Sequence, residues 1–196
     1  MSQSTTARWR TVDIVVASVV AVAFGVIFWA WNLVWSATEG LFTFFPPAQA
    51  VIYGVWLLPG VLGGLVIRKP GAASYTEFLA ALVSVLLGSQ WGTVAILQGL
   101  CQGVGAELAF LATGYRAFRL PVAVLSGTLA GLAAALFDQW RYYSEYDLAS
   151  FRLPVLLLTV VSSAVVAGAG GWALTRALTQ TGVLDRFPAG RERTAI

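Results

Sequence analysis

Six long apolar runs are the feature that most constrains how this chain folds. They cover residues 13–35, 48–67, 72–88, 92–113, 121–137 and 153–175. Most are close to the ~20 residues that an α-helix needs to cross the hydrocarbon core of a bilayer; the third and fifth are shorter. The runs do not alternate between apolar and polar residues, which argues against a β-barrel. The sequence therefore predicts an all-α, polytopic membrane protein, a single domain of six transmembrane helices over residues 1–196.

Composition supports a membrane protein and excludes several kinds of chemistry. Of the 196 residues, 58% are hydrophobic and 11% are charged, about half the charged share of an average soluble domain. The chain has no histidine and one cysteine, Cys101, so it can form neither an intrachain disulfide nor a structural zinc site. Walker and GxSxG motifs are also missing from the sequence. We therefore expect no enzymatic activity, no metal site and no cofactor.

The distribution of basic residues predicts how the chain is oriented in the membrane. With a cytoplasmic N-terminus, ten of the twelve fall inside: Arg8, Arg10, Arg68, Lys69, Arg116, Arg119, Arg176, Arg186, Arg191 and Arg193. Only Arg141 and Arg152 then lie outside, and such a bias in short loops fixes orientation. Both termini are predicted to be cytoplasmic, with tails at 1–11 and 180–196. The basic charge is thus explained by topology, and we expect no nucleic-acid binding.

Small residues recur at helical spacing in the first span. Ala17, Ala21 and Gly25 are four residues apart and share one face of the helix. Such a seam allows two helix backbones to approach closely in lipid. The spacing is compatible with packing inside this chain and with docking of another membrane subunit, and it does not distinguish between them.

Two acidic residues, Glu77 and Glu107, lie within apolar runs. Ionisable groups inside a membrane are costly, and they are therefore candidates for a functional role. Each could contribute to a ligand site. Each could equally form a structural hydrogen bond to a neighbouring helix or to a nearby arginine.

Polar and aromatic residues concentrate at the predicted outer ends of the spans. Gln98 and Gln102 share one face of the fourth span, below Gln90 and Trp91 in the preceding turn. Two stacked amides can recognise a ligand without the desolvation cost of a charge, and they can also join helices. Aromatic residues at this end are partly an ordinary interfacial belt. The acidic residues Glu39, Asp138, Glu145 and Asp147 fall in the predicted outer loops. The surplus of aromatic residues beneath these acids favours a flat, cationic, heteroaromatic ligand that binds through stacking and cation–π attraction.

Several segments resemble the YkoE family. They are WRTVD at 9–13, GVWLLPG at 54–60, IRKPGAA at 67–73, AALVSVLLGSQWG at 80–92 and QGVGAE at 102–107. Members of this family are substrate-capture (S) components of energy-coupling-factor (ECF) vitamin transporters, associated with thiamine or its hydroxymethylpyrimidine moiety. The resemblance implies a location in the prokaryotic cell membrane, an outward pocket, a partner transmembrane (T) subunit and paired cytoplasmic ATPases. It also implies that an AxxxA seam, matched by Ala17 and Ala21, docks to the T subunit.

Together, these features predict a membrane subunit that captures thiamine or a related pyrimidine from outside the cell for an ABC-type importer. The candidate substrate-binding residues are Asn32, Trp35, Tyr53, Trp56, Glu77, Gln90, Trp91, Gln98, Gln102 and Glu107. The candidate docking residues are Ala17, Ala21 and Gly25. The alternative is a structural or assembly subunit without a small-molecule ligand.

Overall fold

The computed structural model describes residues 8–191, and this part of the chain is helical, without β-strands. The helices are α1 (Thr11–Thr38), α2 (Pro46–Ile67), α3 (Ala72–Leu86), α4 (Val94–Ala112), α5 (Leu120–Arg141), α6 (Leu148–Gln180) and the short α7 (Pro188–Arg191). The prediction of an all-α protein is confirmed. The ends of both predicted tails, 1–7 and 192–196 with Arg193, lie outside the described residues.

Five of these segments are long and apolar enough to cross a membrane. They are Thr11–Phe42, which includes a 3-10 turn after α1, Pro46–Ile67, Val94–Ala112, Leu120–Arg141 and Leu148–Gln180. Helix α3 is apolar but has only 15 residues. The sixth span therefore stays a prediction.

Helix α5 is longer than the apolar run that predicts it. The run stops at 137, whereas the helix continues to Arg141. Asp138 and Gln139 are part of this extra turn and are only 4% and 8% exposed. The expectation that Asp138 lies in an outer loop is wrong, because its side chain is hydrogen-bonded inside the bundle and the helix continues past it.

Helix α2 lies at the centre of the bundle. All residues from Pro59 to Ile67 are buried, and Leu57, Val61 and Leu65 belong to a core cluster that draws on α1 to α6. Small residues bring the helices into close contact around it. A methyl group added to Gly103 of α4, for example, would lie 2.8 Å from the Cα atom of Ser74 in α3. The helices thus pack backbone against backbone, as is typical of membrane bundles.

Helices α2 and α6 are irregular where they meet. The first half of α2, Pro46–Leu57, is a 3-10 helix, and α6 contains a π-helical stretch at Ser163–Gly170. The Ser162 hydroxyl accepts a hydrogen bond from the backbone N–H of Gly54 (3.0 Å) and donates one to the backbone carbonyl of Val51 (2.7 Å). The hydroxyl therefore takes the place of one backbone hydrogen bond of α2.

The small-residue seam of α1 packs inside the chain. Ala17 and Ala21 are 1% and 0% exposed, and a Cβ atom on Gly25 would lie 2.5 Å from the Cβ atom of Val83 in α3. The three residues are buried within this chain, whereas docking of another subunit requires them at its surface; the docking role stays a prediction. Their small size instead allows α1 to approach α3 closely.

Candidate ligand-binding cavity

A cavity of about 640 Å³ lies at one end of the bundle, where α1, α3 and α5 end and α2, α4 and α6 begin. Its volume lies within the range typical of small-molecule sites. The residues that line it are Phe28, Asn32, Trp35, Glu39, Phe42, Thr43, Pro46, Pro47, Gln49, Ala50, Tyr53, Trp56, Ala81, Ser84, Ser89, Trp91, Ala95, Gln98, Gln102, Asp138, Tyr142, Tyr143, Tyr146, Phe151 and Val155. Seven of the ten predicted binding residues are among them.

Aromatic rings form much of the wall. The ring centroid of Trp56 lies 5.0 Å from that of Trp35, 5.2 Å from that of Tyr53 and 6.4 Å from that of Trp91. Tyr142 extends the set, with its ring 6.0 Å from that of Trp91. Most of these pairs meet edge to face or tilted, so that several ring faces remain available to a ligand.

A polar cluster, formed by Tyr53, Gln98, Gln102 and Asp138, lies against this aromatic wall. The Asp138 carboxylate accepts hydrogen bonds from the Tyr53 hydroxyl (2.7 Å) and from the Gln98 amide (2.5 Å). The Gln98 and Gln102 amides also donate to the Tyr53 hydroxyl, at 2.7 and 3.5 Å. None of the described residues that line the cavity is basic. No arginine or lysine of the cavity wall therefore balances a negative charge on Asp138.

The connection between α5 and α6 covers the cavity with further aromatic rings. Tyr146 stacks on Phe151 with 4.2 Å between ring centroids, and Tyr143 meets Phe151 at 5.2 Å. Burial raises the pKa of the Tyr143 hydroxyl well above its ordinary value, so this group remains neutral at physiological pH. Asp147 begins α6 by accepting hydrogen bonds from the hydroxyl and backbone N–H of Ser150, which hold the pKa of its carboxyl below the usual value.

Comparison with known sequences identifies the family. Residues 12–133 match a family described as an ABC-type cobalt transport system, permease component. A curated relative from Bacillus subtilis (strain 168), named "Putative HMP/thiamine permease protein YkoE", is 37% identical over 185 residues, which cover 94% of this chain and 92% of the relative. The chain belongs to the YkoE family. The resemblance in the sequence motifs is confirmed.

A solved structure agrees with this assignment. The crystal structure of an S-component of an ECF transporter is 36% identical and matches with a TM-score of 0.90, covering 96% of this chain and 94% of that one. The YkoE-family chain is therefore a transporter S component of the cell membrane. The prediction that it is not an enzyme is confirmed.

The turn before α4 contains two of the predicted binding residues, of which Trp91 lines the cavity and Gln90 does not. The Trp91 indole N–H donates to the Asn32 side-chain oxygen at 3.1 Å, and the Asn32 amide donates to Ser89 at 3.0 Å. Gln90 does not line the cavity. Its side-chain oxygen instead accepts a hydrogen bond from Ser36 on α1 at 2.8 Å, so the expectation that Gln90 contacts ligand is not supported by its position.

Glu77 also lies outside the cavity of this S component. It is 1% exposed, and its Oε2 atom accepts a hydrogen bond from the Gly60 N–H at 2.7 Å. Its Oε1 atom has no hydrogen-bond partner among residues 8–191. The nearest lining residue on the same helix is Ala81, one turn away. Glu77 therefore joins α3 to α2 and does not line the cavity, and its substrate contact stays a prediction.

Glu107 lies at the opposite end of the molecule, at the start of α3. Its carboxylate accepts hydrogen bonds from the backbone N–H groups of Gly71 (2.8 Å), Ala73 (2.8 Å) and Ser74 (3.1 Å), and from the Tyr115 hydroxyl (2.7 Å). These contacts satisfy amides that a helix N-terminus leaves unpaired. The structural hydrogen bond that the sequence left open is thus observed, Glu107 does not line the cavity, and its substrate contact stays a prediction.

Sequence reasoning did not select Asp138, Gln49 or the aromatic residues of the connection before α6 as binding residues. The sequence does mark that connection as rich in tyrosine. Asp138 carries a weaker signal: it directly follows an apolar run, in register with the small residues Gly131 and Ala134 on the buried side of α5. Extending the helix by one turn would have placed it on the inner face.

Proposed function

We propose that this S component captures thiamine, or the hydroxymethylpyrimidine moiety of thiamine, in the 640 Å³ cavity and delivers it to partner subunits for import. The B. subtilis relative is named as an HMP/thiamine permease. The observation that carries the proposal is the combination of an aromatic wall with the buried Asp138 carboxylate, which no basic residue of the cavity wall balances.

Thiamine has a cationic thiazolium ring joined to an aminopyrimidine, and the two halves match different parts of the cavity. The rings of Trp35, Trp56 and Trp91 offer stacking and cation–π contacts. Asp138 supplies a charge opposite to that of the ligand. The Gln98 and Gln102 amides can donate to and accept from the edge of a pyrimidine. Asn32, Tyr53 and these residues together form the substrate-binding set that we propose.

A cobalt ion is a less suitable cargo for this cavity, although the matching family description names cobalt. The chain contains no histidine, and imidazole is a preferred ligand of such transition metals. Among residues 8–191, no three His, Cys, Asp or Glu side chains come together in a way that could hold a metal ion. The donor set thus favours an organic cation.

Isothermal titration calorimetry tests the proposal, with thiamine, hydroxymethylpyrimidine and Co²⁺ as separate titrants. We expect thiamine to bind at a single site and Co²⁺ to give no specific heat. Purified protein that binds neither organic ligand and releases no small molecule on denaturation would overturn the proposal. That result would favour the alternative of a structural subunit without a ligand.

We further propose that α3 crosses the membrane, which gives six spans, cytoplasmic termini and an outward-facing cavity. Basic residues at the far end from the cavity, among them Lys69 and Arg116, agree with the positive-inside rule. In a Cys101→Ser background, Gly40→Cys lies near the cavity and Arg116→Cys at the other end. A membrane-impermeant maleimide applied to intact cells should label position 40 and not position 116; the reverse pattern would overturn this orientation.

Import also needs an energy source, which we propose comes from a T subunit and cytoplasmic ATPases. The sequence of this chain contains no GxxxxGK[ST] motif for ATP hydrolysis. Co-purification of the tagged protein with those subunits, and uptake that depends on their ATPase activity, would support the partnership. Uptake by cells that make this chain alone, with the ATPase genes removed, would contradict it.

A further inference from the structure

A second cavity, of about 490 Å³, lies at the end of the bundle opposite the first one, where α2 and α6 end and α5 begins. Three arginines line it: Arg68 at the end of α2, Arg119 just before α5, and Arg176 in α6. None of the described residues that line this cavity is acidic. The cavity thus concentrates positive charge, in contrast to the first one.

Aromatic rings hold two of these guanidinium groups in place. The guanidinium carbon of Arg176 lies 4.8 Å from the ring centroid of Trp172, and that of Arg68 lies 4.6 Å from that of Phe118. When a guanidinium stacks on an aromatic ring, its N–H donors point outward in the plane of the guanidinium. There they can bind an oxyanion in bidentate fashion. Within residues 8–191, no acid pairs with the side chain of Arg119 or Arg176.

The remainder of the wall combines the polar residues Thr175, Thr179 and Gln180 with an apolar part that continues to the outer surface of the bundle. Leu65, Leu120 and Trp172 line the cavity beside the arginines, and Leu120 is 38% exposed at its edge. A ligand that suits this surface combines a phosphate group with an apolar part. Basic pockets between transmembrane helices bind anionic lipid head groups in this way.

We propose that this cavity binds the head group of an anionic phospholipid, with its phosphate between Arg119 and Arg176 and its acyl chains along the apolar surface at Leu120. This inference goes beyond vitamin capture and does not depend on it, because the two cavities lie at opposite ends of the molecule.

Native mass spectrometry of the full-length protein, exchanged into micelles that contain equal amounts of phosphatidylglycerol and phosphatidylcholine, tests the proposal. We expect wild type to retain phosphatidylglycerol selectively. The Arg119→Gln/Arg176→Gln variant should lose on the order of tenfold or more of this retention. The matched control is Arg116→Gln/Arg186→Gln, which changes the net charge equally at two exposed arginines outside the cavity.

Four outcomes would overturn the proposal. Three of them are equal retention by the Arg119/Arg176 variant and wild type, an equal loss in the control variant, and equal retention of the two lipids. The fourth is full displacement of the lipid by millimolar inorganic phosphate, which would assign the cavity to a soluble phosphate. If the double variant does not fold, the single variants Arg176→Gln and Arg186→Gln provide the same comparison.

Discussion

Asp138 is the buried acidic residue of the candidate binding cavity, whereas Glu39, the other acid that lines it, is exposed. The two carboxylate oxygens of Asp138 accept hydrogen bonds from neutral donors, Tyr53 and Gln98. A buried carboxylate with neutral partners only is stabilised when a cation arrives, because the surrounding protein screens the charge poorly. The affinity of the cavity should therefore depend on the charge of the part of the ligand that lies next to Asp138.

Replacing Asp138 with Asn should weaken thiamine binding more than hydroxymethylpyrimidine binding. The amide keeps the size and some hydrogen bonds but removes the charge that attracts the thiazolium. Hydrogen bonds to charged groups contribute about 1.5–3 kcal/mol, so we expect roughly a ten- to hundredfold loss for thiamine by calorimetry. Asp147→Asn, outside the cavity, is the control. Equal losses for the two ligands would contradict a charge role for Asp138.

Trp91 and Gln102 represent the aromatic and the amide parts of the site. Trp91→Ala removes a ring of the wall, and Gln102→Ala removes an amide that is 5% exposed. Each change should cost about 1–3 kcal/mol of binding free energy, measured by calorimetry on folded protein. Trp140→Ala is the matched control, because Trp140 is 70% exposed and does not line the cavity. Unchanged affinity in both cavity variants would remove them from the site.

At the scale of the helices, Glu107 fixes the start of α3. Its negative charge lies at the N-terminal end of that helix, where the helix dipole favours an anion. Burial, followed by the hydrogen bond to Glu107, raises the pKa of the Tyr115 hydroxyl, so Tyr115 stays protonated and continues to donate at physiological pH. One side chain of α4 thus joins α3 to the turn before α5.

Glu107→Leu should therefore destabilise the protein more than Glu107→Gln. Leucine leaves the backbone amides of Gly71, Ala73 and Ser74 without their acceptor, at about 1–3 kcal/mol for each that stays buried and unpaired. Glutamine retains one side-chain acceptor. Thermal unfolding in detergent measures the difference, with Glu145→Gln in the exposed loop as the control. Equal unfolding temperatures for the leucine variant and wild type would contradict the capping role.

The close packing of the small-residue seam of α1 inside the chain leads to a separate prediction. The variant Ala17→Trp/Ala21→Trp places two large side chains where α1 meets its neighbours, and it should lower thermal stability and ligand binding together. The control, Ala23→Trp/Ala30→Trp, carries the same substitutions on the exposed face of α1 and should retain ligand binding. A folded Ala17/Ala21 variant with normal affinity would show that the seam is not a tight internal contact.

The sequence predicts the helices well, and its errors have identifiable physical causes. Apolar runs locate the spans, but an apolar run ends at Phe137 although α5 does not, because a buried Asp138 can continue a helix if it is hydrogen-bonded. Residue spacing shows that Ala17, Ala21 and Gly25 share a face, but it cannot show which surface covers that face. The roles of Glu77 and Glu107 depend on backbone amides of other segments, which only the tertiary structure brings near them.

At the scale of the whole molecule, a ligand in the larger cavity would contact nearly all of the bundle. Asn32 of α1, Tyr53 of α2, Gln98 of α4, Asp138 of α5 and Val155 of α6 all line it. Ala81 and Ser84 of α3 line it as well, so a ligand that contacts all six long helices should oppose their separation. Binding and global stability are therefore expected to be linked.

Thiamine should accordingly raise the unfolding temperature of the purified protein. At a ligand concentration one hundred times Kd, the expected stabilisation is about 2.7 kcal/mol, which differential scanning fluorimetry in detergent can follow. The increase should depend on concentration and should shrink in the Asp138→Asn variant. An unfolding temperature that does not change at saturating thiamine would contradict binding to the folded bundle.

The hydroxyl of Ser162 has a consequence for which residues this position can accept. The hydroxyl accepts a hydrogen bond from the backbone N–H of Gly54 and donates one to the backbone carbonyl of Val51. A side chain at this position therefore needs a group that is both a donor and an acceptor. Alanine there would leave a backbone donor and acceptor of α2 unpaired where water is scarce, which is costly inside a membrane. Threonine keeps the required hydroxyl. The identity of a residue in α6 is thus dictated by the backbone of α2, so the hydroxyl remains required whichever side chain stands at position 51.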